Sequence, residues 1–364
     1  MGQARPAASI GRAGTPAVRA YAPIVLTAAV VALLPLRYGD SGAMMGVVIS
    51  GVVFAAYAIG FNVIFGSTGQ LFLCIGALAG LGGYASAILS DRHGLPLLLA
   101  MVLAGLIAAA AGGLLSWVAV SRSLGVIFTG IVTLAFSLSF QSLLLGQRDL
   151  TGGENGLRIE AGQDTFLGER VAPFYILLGL VVVYLALYRA LQRSHVGWAF
   201  RALRDDEIAA ELAGVDVKRY RVLAGTLGSA MIGFAGAIFT HTERFISPTT
   251  FNFGEVDVLV IVMLAFGGIG SMLGPVVGAA AFTVLEEWME DFNEVRLLVY
   301  GGVILVLFLF FPRGVVPSVQ ALASRLRRRR GADRALAPAA EASDEAAEPA
   351  ASPVGSEPPA QLSG

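Results

Sequence analysis

Three histidines, one lysine and one cysteine stand in this 364-residue chain, and their spacing points to no catalytic or metal chemistry. His93 and His241 fall at the ends of apolar runs and His195 in a charged stretch, so each reads as an interfacial residue. No H-E-x-x-H pair or Cys/His cluster of the kind that zinc requires is present. Lys218 is followed by Arg219, so the phosphate-cradling G-x-x-x-x-G-K-[ST] loop is missing and ATP is not hydrolysed by that route. Cys74 lies alone in an apolar run; it can form no disulfide within one chain and reads as a small core residue.

The polar residues inside apolar runs are neutral: Asn62, Thr129, Thr133, Ser137, Ser139 and Gln141. Hydroxyls and amides suit a zwitterionic or neutral polar solute, although Ser and Thr more commonly bond back to their own helix. The runs offer no buried Asp, Glu, Lys or Arg, the groups on which proton-coupled carriers depend, and this weighs against a secondary transporter. Two glycine-rich interruptions, FGSTGQ at 65–70 and GGIGSMLGP at 267–275, make broken helices cheap, because Gly frees the backbone and Pro removes a donor. Thr68 and Gln70 beside the first need partners or a cavity at that depth. A pathway flanked by hinges is therefore expected at Asn62, Gly66, Thr68, Gly69, Gln70, Thr133, Gln141, Gly267, Gly268, Gly270, Gly274 and Pro275. Small residues follow each break, GALAG at 76–80 and Gly270, Gly274 and Gly278, a weak sign of a parallel repeat. Close helix approach alone accounts for most of the 45 glycines.

The stretch RALRDDEIAAELAGVDVKRYR, 201–221, carries 10 charges in 21 residues. A helical wheel gathers Trp198, Ala202, Ala209, Leu212 and Ala213 on one side and Arg201, Arg204, Glu207 and Glu211 on the other. A helix, a kink at Asp205 and a short second helix stopped by Gly214 are expected, with Asp205 and Asp206 at its start. A membrane-surface helix would be basic on its polar face; a mixed-sign face suits a protein partner.

These residues need helices to hold them. With 56% hydrophobic and 14% charged residues, the chain is far more apolar than a soluble domain, and its continuous runs indicate membrane-spanning helices rather than a barrel. Spans are expected at 21–37, 43–65, 71–90, 95–120, 124–146, 172–191, 222–242, 257–285 and 296–312. The first is read as retained, since Arg37, Tyr38 and Gly39 follow it in place of a small-residue cleavage site. Basic residues collect in 1–20, 189–221 and 313–330, which marks those segments as cytoplasmic. Both termini stay inside only if 257–285 is two short passes broken at 267–275, giving an all-α polytopic protein of about ten passes. The expected layout is a cytoplasmic segment 1–20, a membrane domain 21–312 containing the cytoplasmic segment 194–221, and a tail 313–364 that is basic and then Ala/Pro/Glu-rich and disordered. A net charge of −1 argues against nucleic acid as partner.

Five blocks carry a family likeness: 201–221, GSTGQ at 66–70, TGGENGL at 151–157, ISPTTF at 246–251 and GGIGSMLGPVVGA at 267–279. Over about 50–312 the chain resembles the membrane permease subunits of bacterial branched-chain amino-acid ABC importers, the LivM-type permeases. The resemblance implies a plasma-membrane protein embedded in lipid that binds no cofactor itself. It implies two partner ATPases holding ATP and Mg, a second permease subunit, related or identical, and an external solute-binding protein; the external loop TGGENGL is either a face for that protein or a plain tight turn allowed by Gly152, Gly153 and Gly156. ATPase docking falls on Arg201, Arg204, Asp205, Glu207, Ala209, Ala210, Glu211 and Gly214; Ala209, Ala210 and Gly214 match the A-A-x-x-x-G of the docking signature, with its Glu displaced to Glu207. QLFLCIG at 70–76 replaces the usual QLSLGH, so Phe72 and Cys74 stand where relatives are polar. Urea or short amides in the same family, or an autonomous secondary carrier, are the alternative readings.

Overall fold

The computed structural model describes residues 42–159, 171–288 and 314–321, with isolated positions in 27–35 and 301–309. The spans expected at 21–37 and 296–312, the segment 1–20 and the tail beyond 321 lie largely or wholly outside the described residues. What is described is a polytopic helical protein. Helix α1 (Gly42–Phe61) runs into a π-helical turn (Asn62–Gly66), and α2 (Ile75–Ala87) ends in another (Ile88–Arg92). Then come α3 (Leu97–Ser121), α4 (Val126–Gly146), α5 (Ala172–Arg193), α6 (His195–Asp205), α7 (Glu207–Leu212), α8 (Val217–Glu243), α9 (Val258–Gly267) and α10 (Gly274–Trp288). Among the described residues, five helices are long and apolar enough to cross a membrane: Met44–Gly66, Leu97–Ser121, Val126–Gly146, Ala172–Arg193 and Val217–Glu243.

Helix α8 is the post against which α1, α2 and α3 pack. Its start is fixed by Asp216, whose carboxylate accepts from the Arg219 N–H at 3.0 Å, and its end by Arg244 in the left-handed region at φ 59°. Side chains are absent where the backbones meet. A Cβ on Gly82 of α2 would lie 2.0 Å from the Gly233 carbonyl oxygen, and one on Gly236 would lie 2.2 Å from that of Ala79. The glycines expected to tighten packing do so here.

The run 257–285 is divided as its glycines foretell, with α9 ending at Gly267 and α10 starting at Gly274. The two helices lie antiparallel and in contact, since Cβ atoms on Gly267 and Gly278 would each fall 1.8 Å from the carbonyl oxygens of Gly274 and Met263. At 10 and 15 residues they reach only about 15 and 22 Å, short of a full hydrocarbon core of about 30 Å. The span expected at 71–90 is different: residues 69–74 are not helical and α2 begins only at Ile75. Opposite these breaks, the 151–157 and 246–251 blocks are joined by a two-residue antiparallel pairing, β1 (Leu157–Arg158) with β2 (Phe245–Ile246). His241, expected at an interface, is 2% exposed within α8.

Candidate functional site

The first break opens backbone groups that a helix would have satisfied internally, and at membrane depth each needs a protein partner. Gly69, at φ 71°, turns the chain out of α1 and gives its N–H to the Phe65 carbonyl oxygen at 2.9 Å. The Thr68 hydroxyl donates to Ile64 O at 2.8 Å. Beyond it, in the stretch 69–74, buried and half-buried residues alternate: Gln70, Phe72 and Cys74 are buried, and Gly69, Leu71 and Leu73 are half-buried. The Leu73 N–H donates to Thr133 Oγ1 at 2.9 Å. The Ile75 and Gly76 N–H groups, which open α2, both donate to the Asp257 carboxylate. At the other edge, Arg204 Nη1 donates to Gly66 O at 3.2 Å. A cation thus closes the carbonyl end of the helix that ends at Gly66 and an anion the N–H end of α2, the sign that the helix dipole favours at each.

The second break is bound to the first. Asn62 accepts at Oδ1 from the Gly270 N–H at 2.8 Å and donates from Nδ2 to Ser271 O at 3.0 Å. Tyr188 donates its hydroxyl to Gly270 O at 3.2 Å. There is no room for side chains at the crossing: a Cβ on Gly66 would lie 2.9 Å from Gly270 N, and one on Gly270 would lie 1.9 Å from Arg204 Nη1. Gly268 and Gly270 hold φ of 116° and 75°, and Ser271 closes the turn by donating to Gly268 O at 2.7 Å and accepting from Gly274 N at 3.0 Å. Pro275, next along, has no N–H to satisfy in this first turn of α10.

The structure therefore gathers Asn62, Gly66, Arg204 and Gly270 at one point, with Thr68, Gly69, Gly267, Gly268, Gly274 and Pro275 in the turns on either side. Gln70 is elsewhere: its Oε1 lies 2.7 Å from the Ser116 hydroxyl, which is also 3.0 Å from Arg221 O, and its Nε2 is buried with no partner among the described residues. Thr129, Thr133 and Ser137 are buried on the packed face of α4, and Thr133 bonds back to Thr129 O at 3.0 Å. The commoner fate of a helical hydroxyl thus holds for it. Gln141, about two turns beyond Thr133, belongs to no part of the crossing. The expectation that the runs hold no buried acid is corrected by Asp257, which is 0% exposed. It was missed because it stands at the edge of an apolar run, where an acid reads as a boundary; its two amide partners come from about 180 residues away. A separate apolar recess of about 510 Å³ between α1, α5 and α10, lined by Val48, Val52, Leu178, Leu185 and Val276 among others, offers little to a zwitterion.

In the charged segment the two helices, the break and the stop all appear as expected. Asp206 caps α7, accepting from Ala209 N at 3.0 Å. Gly214, at φ 86°, ends α7 with Gly214 N–H to Glu211 O and Val215 N–H to Ala210 O, a Schellman arrangement. The wheel is corrected. Ala199, Phe200, Leu203 and Ala210 form the packed face, whereas Trp198, Ile208 and Leu212 are 68%, 72% and 85% exposed. The break at Asp206 resets the helical phase, so one continuous wheel misassigns both helices. Some of the charges are also internally committed. Arg221 holds both Glu207 oxygens at 2.8 Å, while Arg201 donates to Gln192 O at 2.9 Å and lies 4.5 Å above the Trp198 ring. Asp205 and Glu211 remain exposed.

Residues 24–310 match the family described as branched-chain amino acid transport system / permease component. The chain belongs to that permease family. It is 34% identical over 292 residues to the high-affinity branched-chain amino acid transport system permease protein LivM of Escherichia coli K12, covering 73% of this chain and 68% of that one. It is 25% identical over 286 residues to LivH of Salmonella typhimurium, 73% and 92% covered. The autoinducer 2 import system permease protein LsrC of Enterobacter sp. 638 is 27% identical over 278 residues, 70% and 78% covered. No solved structure matches. In this permease the family match and five apolar helices together establish a multi-pass membrane protein of a transport system.

Proposed function

We propose that the chain is the translocation subunit of an ABC importer for branched-chain or related small amino acids in a bacterial plasma membrane. Separate ATPases drive it, with ATP and Mg bound on those partners, and it pairs with a second permease and receives solute from a binding protein. The observation that carries this is the segment 195–214. It turns bulky apolar side chains, Trp198, Ile208 and Leu212, to the outside, while Arg204 on the same segment reaches the crossing of both breaks. Apolar tips left mostly exposed by the chain's own packing fit a partner's groove better than water. Part of the mixed charge, Arg201, Glu207 and Arg221, also holds the segment in shape, and Asp205 and Glu211 stay exposed beside the apolar tips.

The relatives named for branched-chain amino acids favour that solute class. Phe72 and Cys74, the two departures from the family pattern, are fully buried. Asp257, which would favour an ion-coupled carrier, already has its carboxylate bound to two backbone amides.

Docking is tested away from buried positions. Ala210 is 3% exposed and Gly214 needs a positive φ, so Arg at either would disturb folding as well as docking. Ile208→Asp with Leu212→Asp changes only exposed surface. The double variant is expected to stay monodisperse in detergent yet lose its ATPase on purification, and to lose leucine uptake in cells. Retained ATPase and normal uptake would overturn the proposal.

A further inference from the structure

The grips at the two edges of the first break belong to the two ends of one short helix. Asp257 immediately precedes α9 and holds Ile75 and Gly76. Gly270 and Ser271, just past its other end, hold Asn62. Helix α9 therefore spans the non-helical stretch 69–74 as a strut spans a gap, with a length of about 15 Å. Its run VLVIVMLAFG has no interior glycine or proline at which to bend, and the backbone contact of Met263 with Gly278 backs it along α10. Arg204 lies against the joint at one end, in contact with Gly66 and Gly270 and carried by α6.

We infer that α9 is the transmission rod of the transporter, with Arg204 the positioning residue that delivers movement of α6 to it and Asp257 the one that passes that movement to the start of α2. This rests on the reading of 195–214 as the ATPase-facing segment. When α6 is displaced, the Arg204 contact carries Gly66 and Gly270 together, because Asn62 fixes them to each other. A helix transmits displacement along its axis with little compression, so Asp257 moves and the N-terminus of α2 moves with it. The non-helical stretch 69–74 is then reshaped from both edges at once. An aspartate that is 0% exposed and held only by two backbone amides is costly to bury for stability alone, while Arg204, exposed on α6, makes its contact with Gly66 O from the surface of the joint.

The test uses the complete transporter, permease pair with ATPases and leucine-loaded binding protein, in proteoliposomes, and reads leucine imported per ATP hydrolysed. Arg204→Met and Asp257→Asn are each expected to lower that ratio roughly 2- to 30-fold, the range by which residues on a coupling route modulate it. Arg204→Lys, which keeps a donor within reach of Gly66 O, should restore most of it. Because both residues serve one route, the Arg204→Met/Asp257→Asn pair should be no worse than the poorer single variant, in place of the product expected of independent sites. Variants are compared only after each elutes as an assembled complex; should Met fail to assemble, Arg204→Gln takes its place. An unchanged ratio in both single variants, no rescue by Lys, or a multiplicative double variant overturns the transmission role. If the wild-type complex itself shows no leucine-stimulated hydrolysis and no uptake, the importer reading falls and the inference falls with it.

Discussion

Asn62 shows how much one neutral side chain can hold at the residue scale. Its amide matches the exposed N–H of Gly270 and the carbonyl of Ser271, two groups that the turn leaves open. Truncation to Ala would strand both, at about 1–3 kcal/mol for each buried group. Asn62→Ala is therefore expected to lower the melting temperature of the purified permease clearly, while Ser139→Ala, on the exposed side of α4, leaves it nearly unchanged. Equal melting temperatures would remove the crossing as a structural joint. The Glu207 to Arg221 pair has good bidentate geometry, but Glu207 is 45% exposed, so a double-mutant cycle should give a coupling of roughly 0.2–1 kcal/mol. The sequence marked Asn62 and Arg204 as residues of interest but not as neighbours, because their meeting depends on contacts across 138 and 208 positions. Asp257 escaped for the same reason.

Elements were more legible than contacts wherever a local rule decided them. The stop at Gly214, the cap at Asp206 and the division of 257–285 each follow from glycine, proline or a capping acid within a few residues of the event. The failure at 71–90 is instructive, since LFLC is as apolar as a helix requires, while distant side chains, Thr133 for Leu73 and Asp257 for Ile75, take up the N–H groups that the open backbone leaves there. Packing of α8 against α2 rests on backbone contact. Gly236→Val would drive a branched side chain into the Ala79 carbonyl, which a Cβ already meets at 2.2 Å. Overpacking ordinarily costs about 1–3 kcal/mol, and rigid backbone on both sides puts this site at the upper end or beyond. Gly179→Val, where a Cβ meets nothing within 4 Å, is the matched control. Reduced thermal stability is expected for the first and little change for the second; the reverse order would refute the packing of α8.

Over the whole molecule, orientation in the membrane follows from charge. The segment 189–221 carries seven Lys and Arg against three in 147–170, an asymmetry that favours the first as cytoplasmic. On that assignment the crossing of the two breaks, which Arg204 touches, lies toward the cytoplasm, the side proposed for the ATPases, and the pairing of β1 with β2 lies toward the side proposed for the solute-binding protein. The chain suits a direct test, because its one cysteine, Cys74, is fully buried and contributes little background to thiol labelling. Glu154 and Glu211 are both exposed, one in the turn before β1 and the other on α7. In intact cells opened only at the outer envelope, a membrane-impermeant maleimide should label Glu154→Cys and leave Glu211→Cys unlabelled until the inner membrane is permeabilised. Labelling of Glu211→Cys from outside would invert the topology and remove the ATPases from reach of α7. Labelling of both from outside would mean that an odd number of passes between them is wrong, which would place the error in α5, the single spanning helix that separates the two positions.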